Sequence, residues 1–168
     1  MSYAISLDIS RCSGCMSCVL ACMDQNDMAE SGLSFRHVTK METGAYPFAR
    51  ISFISLSCFH CTDAPCLYAC PKKALFRNDA LGVVEINPER CIGCHVCAMV
   101  CPFGAPRFFP GEKMQKCNLC IDRIIGGKEP ACVRTCPTRA LGFGTLTTLS
   151  LKKADKAALK ILKLSGTE

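Results

Sequence analysis

The sequence predicts an α+β protein whose interior is organised by bound metal more than by apolar packing. Three observations lead there. Sixteen of the 168 residues are cysteine, a fraction found in disulfide scaffolds and metal proteins. These cysteines fall into four groups of four with none left over: Cys12, Cys15, Cys18, Cys22; Cys58, Cys61, Cys66, Cys70; Cys91, Cys94, Cys97, Cys101; and Cys117, Cys120, Cys132, Cys136. Between the groups lie only short strand-like and helix-like segments, too brief to enclose a large core alone.

Taken in order, residues 3–9 read as a strand, rich in β-branched and aromatic residues and too short for a helix. A short helix is expected over 19–24, after the first motif. Residues 23–57 form a long crossover that ends in a second strand at 51–56. Past the second motif, 75–77 and 83–86 flank Asn78-Asp79-Ala80-Leu81-Gly82, whose residues tolerate chain reversal, so this stretch is predicted to be a β-hairpin leading into the third motif. Further short helices are expected at 98–100 and 130–135. From 150 to 164, Leu151, Ala154, Ala157, Ala158, Ile161, Leu162 and Leu164 alternate with five lysines in the pattern of an amphipathic helix. It packs on its own domain or docks on a partner.

The groups repeat in pairs. The first and third share C-x2-C-x2-C-x3-C, each opened by arginine and with glycine before the second cysteine (Arg11-Cys12-Ser13-Gly14-Cys15; Arg90-Cys91-Ile92-Gly93-Cys94). The second and fourth begin C-x2-C, widen, and close with C-x3-C-P and a similar tail, Pro71-Lys72-Lys73-Ala74-Leu75 against Pro137-Thr138-Arg139-Ala140-Leu141. The chain therefore reads as an internal duplication of about 1–79 and 80–148.

Residues 1–8 have no basic, long apolar or twin-arginine export pattern, and no run approaches the roughly 18 apolar residues of a membrane span. A cytoplasmic location is expected. There thiols stay reduced, which favours metal over disulfides. A cubane iron–sulfur cluster takes one thiolate on each of four irons. A loop with cysteines at i, i+3 and i+6 reaches three corners, and in two-cluster ferredoxins the fourth cysteine of such a run goes to the other cluster. Proline follows Cys70, Cys101 and Cys136, directing the chain away from the last ligand, whereas Met23 follows Cys22. Structural zinc uses paired knuckles of two cysteines per loop; three cysteines within seven residues, twice over, fit iron and sulfur better. Cys22 could be a spare buried thiol, and His60 and His95, inside motifs, read as second-sphere or surface residues.

Neither a nucleotide-binding glycine pattern nor the C-x3-C-x2-C triplet of radical enzymes is present. With all sixteen thiols consumed in closed sites, the chain is expected to move electrons without transforming a substrate. The formal charge of +6 could suggest nucleic acid. Four thiolate-bound clusters, however, bring roughly −2 each, about −8 together. The loaded chain would sit near −2, with Arg11, Lys72, Lys73, Lys116, Arg134 and Arg139 placed to offset the buried charge.

Over residues 3–142 the four motifs, in order and including Lys116-Cys117-Asn118-Leu119-Cys120 and Pro130-Ala131-Cys132-Val133-Arg134-Thr135-Cys136-Pro137, resemble the four-cluster ferredoxin-like subunits of molybdenum and tungsten pterin oxidoreductases. These include the dimethyl sulfoxide reductase, formate dehydrogenase and tungsten aldehyde oxidoreductase types. The resemblance implies two ferredoxin-like lobes and four [4Fe–4S] clusters. An outer lobe would comprise 1–45 and 112–148, an inner lobe 46–111, with 149–168 as a helical tail. It further implies that Cys12, Cys15, Cys18 and Cys136 hold one cluster, and Cys117, Cys120, Cys132 and Cys22 its lobe partner. Cys58, Cys61, Cys66 and Cys101 would hold the third, and Cys91, Cys94, Cys97 and Cys70 the fourth. The implied partners are a catalytic pterin subunit and a further redox subunit or carrier. A similar subunit of a hydrogenase or formate hydrogenlyase complex is the alternative, and a structural zinc scaffold the remote one.

Overall fold

The structure, a computed structural model, describes residues 2–28, 33–109 and 113–164. The predicted α+β composition is present as four separate two-stranded sheets joined by short helices.

β1 (Tyr3–Leu7) is shorter than the predicted strand because the chain turns into a 3-10 segment at Ile9–Arg11 that delivers Cys12. Its partner is the distant β8 (Leu141–Thr145), antiparallel in a register running from Tyr3↔Thr145 to Leu7↔Leu141. α1 (Ser17–Gln25), carrying Cys18 and Cys22, packs on α5 (Ala131–Arg134), which carries Cys132. Elements of the first and fourth motifs are thus brought together across the chain.

The expected crossover contains a hairpin of its own, β2 (His37–Thr43) with β3 (Arg50–Leu56). The first of these strands has no buried residue, so no apolar alternation announced it. The predicted hairpin is found as β4 (Leu75–Asn78) and β5 (Val83–Ile86), with Leu75 opposite Ile86. Beside it, α2 (Pro65–Tyr68) packs on α3 (Val96–Met99). β6 (Arg107–Phe108), β7 (Met114–Gln115) and α4 (Ile121–Ile125) complete the body. The boundary expected between 111 and 112 lies outside the described residues.

The tail is a helix, α6 (Leu146–Leu164), beginning directly after β8. Through Leu159 only Leu149 is even half-buried, while Leu151 and Leu159 are exposed. It is tied to the body by the Leu146 N–H donating to the Ser2 carbonyl at 3.0 Å and by the Lys156–Asp8 ion pair at 3.1 Å.

Apolar packing is divided into three small clusters, and each contains cysteine. Cys97 lies with Leu75, Val84 and Met114; Cys18 and Cys132 with Val133 and Leu141; Cys22 with Met28, Phe35 and Phe109.

The motif repeats extend to the backbone. Gly14 and Gly93 adopt φ of 72° and 68°, and the residues after the second cysteine, Met16 and His95, adopt 63° and 62°. His60 and Leu119 correspond at 49° and 63°, as do Lys73 and Arg139 at 47° and 51°. The two glycines differ in surroundings. A Cβ on Gly14 would lie 2.4 Å from the Phe53 ring, whereas one on Gly93 would meet nothing within 4 Å. Both alanine variants carry left-handed strain of about 1–2 kcal/mol. Gly14→Ala adds overpacking of about 1–3 kcal/mol and should lower the melting temperature clearly more than Gly93→Ala; equal shifts would contradict that packing.

Candidate metal centres

All sixteen thiols are unpaired. Each cysteine-bearing helix of the motifs holds or adjoins two cysteines four residues apart: Cys18 and Cys22 on α1, Cys66 and Cys70 at α2, Cys97 and Cys101 at α3, Cys132 and Cys136 at α5. Members of such a pair face different groups of thiols.

Cys70, Cys91, Cys94 and Cys97 line one cavity together with Leu75, Ile86 and Phe108. Cys22, Cys117, Cys120 and Cys132 line another with Phe35 and Arg36, which contains about 330 Å³ of non-atom space, part of it open to solvent. Cys12 and Cys136 lie close enough to Cys18 for their charges to raise its pKa. Cys58 and Cys101 act in the same way on both Cys61 and Cys66. Cys15 is exposed, with its sulfur 3.4 Å from Ser17 Oγ. A single zinc ion needs thiolates about 2.3 Å away, and among the described residues no three cysteine, histidine or acidic side chains converge to hold one ion.

The electrostatics of the thiols follow from burial and local N–H groups. Desolvation pushes the Cys97 thiol up to about 11 and Cys117 up to about 12, and raises Cys18, Cys66, Cys120 and Cys132. At Cys70 and Cys136 burial also pushes upward. There, however, the tail after each proline curls its backbone N–H groups onto the sulfur, those of Ala74 and Leu75 at Cys70 and of Leu141 and Ala140 at Cys136, and the net shift is downward. The left-handed Lys73 and Arg139 permit that curl. Ala74 N–H donates to Cys70 Sγ at 3.2 Å and Ala105 N–H to Cys101 Sγ at 3.4 Å.

Of the six cations expected to offset the metal charge, only Lys116 is buried; Arg11, Lys72, Lys73, Arg134 and Arg139 are exposed. Lys116 donates to the Val84 and Cys117 carbonyls. Its charge eases ionisation of Cys66 and Cys117. His60 is buried, accepts the Val84 N–H on Nδ1 at 3.1 Å and leaves Nε2 unpartnered. Burial, reinforced by Lys116, lowers its pKa to about 3. His95 instead stacks on Phe108 at 3.8 Å.

Sequence reasoning missed Arg36. It is 3 % exposed and lines the cavity of Cys22, Cys117, Cys120 and Cys132. The guanidinium donates to Ser55 Oγ at 3.0 Å and Ser57 Oγ at 2.8 Å, while Nε has no partner and the described ion pairs give it no carboxylate. A buried, unpaired charge costs several kcal/mol, so this cavity is built for an anion. Four thiolates around a four-iron core supply one, and the residues fit a [4Fe–4S] cluster.

Comparison with known proteins agrees with that chemistry. Residues 49–146 match the 4Fe-4S dicluster domain, and residues 9–24 a 4Fe-4S binding domain. The chain belongs to the 4Fe-4S dicluster family. It is 39% identical to one of the chains of the anaerobic dimethyl sulfoxide reductase of Escherichia coli, over 94% of the present chain and 80% of that protein. It is 36% identical to the NrfC homolog of Haemophilus influenzae, over 99% and 76%, and 34% identical to the formate dehydrogenase-O iron-sulfur subunit of Escherichia coli, over 90% and 56%. This dicluster protein is accordingly an iron–sulfur electron-transfer subunit and not a catalytic one. Among its described residues no helix is long and apolar enough to cross a membrane.

Proposed function

We propose that the chain carries four [4Fe–4S] clusters and relays electrons between a catalytic molybdenum or tungsten pterin subunit and a further redox subunit or carrier, in a cytoplasmic hetero-oligomer. The observation that carries this is the grouping of the cysteines: two complete sets of four each line one cavity, Cys12 and Cys136 gather around Cys18, and Cys58 and Cys101 gather around Cys61 and Cys66, which leaves Cys15 to be placed by its motif alone. In this reading Cys12, Cys15, Cys18 and Cys136 hold one cluster and Cys22, Cys117, Cys120 and Cys132 a second, in an outer lobe made of 1–45 and 112–148. Cys58, Cys61, Cys66 and Cys101 hold the third and Cys70, Cys91, Cys94 and Cys97 the fourth, in an inner lobe of 46–111. Pairing of β1 with β8 and of β4 with β5 supports the nesting, and the matched left-handed residues support an origin by duplication.

Each bound cluster supplies storage and transfer of one electron. The chain's part is to hold such sites in series. Cys97 senses Cys66, Cys117 senses Cys58, and Arg36 acts on both Cys18 and Cys132, so neighbouring sets adjoin in the order third motif, second, fourth, first. Lys116 lies at the junction of the middle two sets and Arg36 at that of the last two. Buried cations at these places stabilise the negative charge that each site accepts. The pterin partner is inferred from relatives named as dimethyl sulfoxide reductase and formate dehydrogenase chains. Exposed Tyr46, Phe48, Tyr68 and Met99 suit a subunit whose surface is covered in a complex. Free thiols in this number suit a reducing compartment.

Protein isolated anaerobically should contain about sixteen iron and sixteen acid-labile sulfide atoms per chain. A count near twelve would mean that one set is empty or altered. Zinc in place of iron would overturn the proposal.

A further inference from the structure

Arg36 stands where two of these sites meet. It precedes β2, is 3 % exposed, and reaches two serines that share one face of the neighbouring chain segment, Ser55 within β3 and Ser57 just beyond it. Ser55 Oγ also lies 3.4 Å from Cys18 Sγ. Because its oxygen already accepts the guanidinium hydrogen, the hydroxyl hydrogen is free for the sulfur. A metal-bound Cys18 is a thiolate and can only accept, which fixes the direction of the hydrogen bonds as Arg36 to Ser55 to Cys18. On its other side Arg36 lines the cavity of Cys22, Cys117, Cys120 and Cys132, with Nε unpartnered. Through Ser55 it reaches the sulfur of Cys18, and its own side chain lines the cavity of the other set, so it stands between the two. The other buried cation among the described residues, Lys116, is held instead by the Val84 and Cys117 carbonyls.

Resting on the ligand sets proposed above, we infer that Arg36 is a positioning residue that raises the reduction potentials of the two clusters held by the first and fourth motifs together, acting on the fourth-motif cluster directly and on the first-motif cluster through Ser55. Reduction adds one electron to a cluster, supplied in the test by dithionite, and no bond forms or breaks. The site's charge becomes one unit more negative. A fixed cation and a donated hydrogen bond both stabilise that reduced form.

The test is a dithionite titration of the anaerobic holoprotein, following the four reduced-cluster signals by electron paramagnetic resonance, with iron counted in each sample. In Arg36→Gln, two of the four reduction equilibria should become at least tenfold less favourable, a fall of about 59 mV each for a one-electron couple, while the other two stay in place. Arg36→Lys, which keeps the charge, should fall less. Ser55→Ala should lower one of those same two signals and leave its companion unmoved. Full iron with no shift in Arg36→Gln, or an equal shift in all four signals, overturns the role of Arg36 and leaves the cluster assignment standing. A wild-type iron count far below sixteen instead overturns the ligand sets on which it rests. Where Arg36→Gln fails to retain iron, Ser55→Ala decides: one lowered signal supports the coupling, and none refutes it.

Discussion

Removal of the clusters is expected to unfold the chain. Among the described residues the apolar interior is not one continuous body but three small clusters, each with cysteine among its buried members. Every sheet has only two strands, and a two-stranded hairpin alone is marginal in water. The joining helices α2, α3 and α5 have four residues each, far below the length at which an isolated helix holds. On the ligand sets proposed above, what ties these pieces together is shared ligation. Each helix contributes thiols to two different groups, so one cluster fixes several elements at once and its binding free energy becomes folding free energy. The cluster-free state also retains costs that the loaded state removes, chiefly Arg36 buried without an anion. Anaerobic chelation should abolish native circular dichroism and protease resistance together. Because the thiols of Cys97 and Cys117 hold their protons to about 11 and about 12, cluster uptake must displace those protons. Lower pH therefore favours the protonated, metal-free form, and stripping should accelerate as pH falls. A stripped chain that kept native circular dichroism and resisted protease would show that the polypeptide supports its own fold.

How much of this was legible in the sequence depended on whether the signal was local. The cysteine groups, the hairpin at Leu75–Asn78 and Val83–Ile86, and strands close to Tyr3–Leu7 and Arg50–Leu56 are local patterns, and the structure has them. β8 carries little strand signal of its own, because glycine occupies two of the five positions in Leu141-Gly142-Phe143-Gly144-Thr145. Gly142 has a tertiary cause: a Cβ there would lie 2.7 Å from Ser6 Oγ across the pair. Short helices such as α2 and α4 escaped because four or five residues carry no periodicity, and their position is set by the cysteines beside them. Arg36 escaped for a further reason. It lies far from any cysteine in sequence and owes its burial to a hairpin whose first strand is exposed throughout much of its length. Phe35-Arg36, an apolar–basic pair followed by polar strand residues, was the only trace. The exposed cations beside the motifs looked better placed in sequence, yet solvent screens them.

Replacing Cys22 should remove the same cluster as replacing Cys117. Were the lobes formed by sequence neighbours, Cys22 would instead complete the second motif's set with Cys58, Cys61 and Cys66. The nested arrangement has physical support on both sides of the choice. Cys22 shares its cavity with Cys117, Cys120 and Cys132, and its helix packs on the one that bears Cys132. In the proposed reading the second motif takes its fourth thiol from Cys101, which lies near enough to act on both Cys61 and Cys66. Alanine variants at Cys22, Cys58 and Cys117, purified anaerobically, should each lose about four of sixteen irons and one of the four reduced-cluster signals. The decisive comparison is which signal disappears. Cys22→Ala and Cys117→Ala are expected to abolish one and the same signal, among the two that move in Arg36→Gln, and Cys58→Ala to abolish a different one that does not. If Cys22→Ala and Cys58→Ala abolish the same signal while Cys117→Ala abolishes another, the lobes are two ferredoxins in tandem and the nesting is wrong.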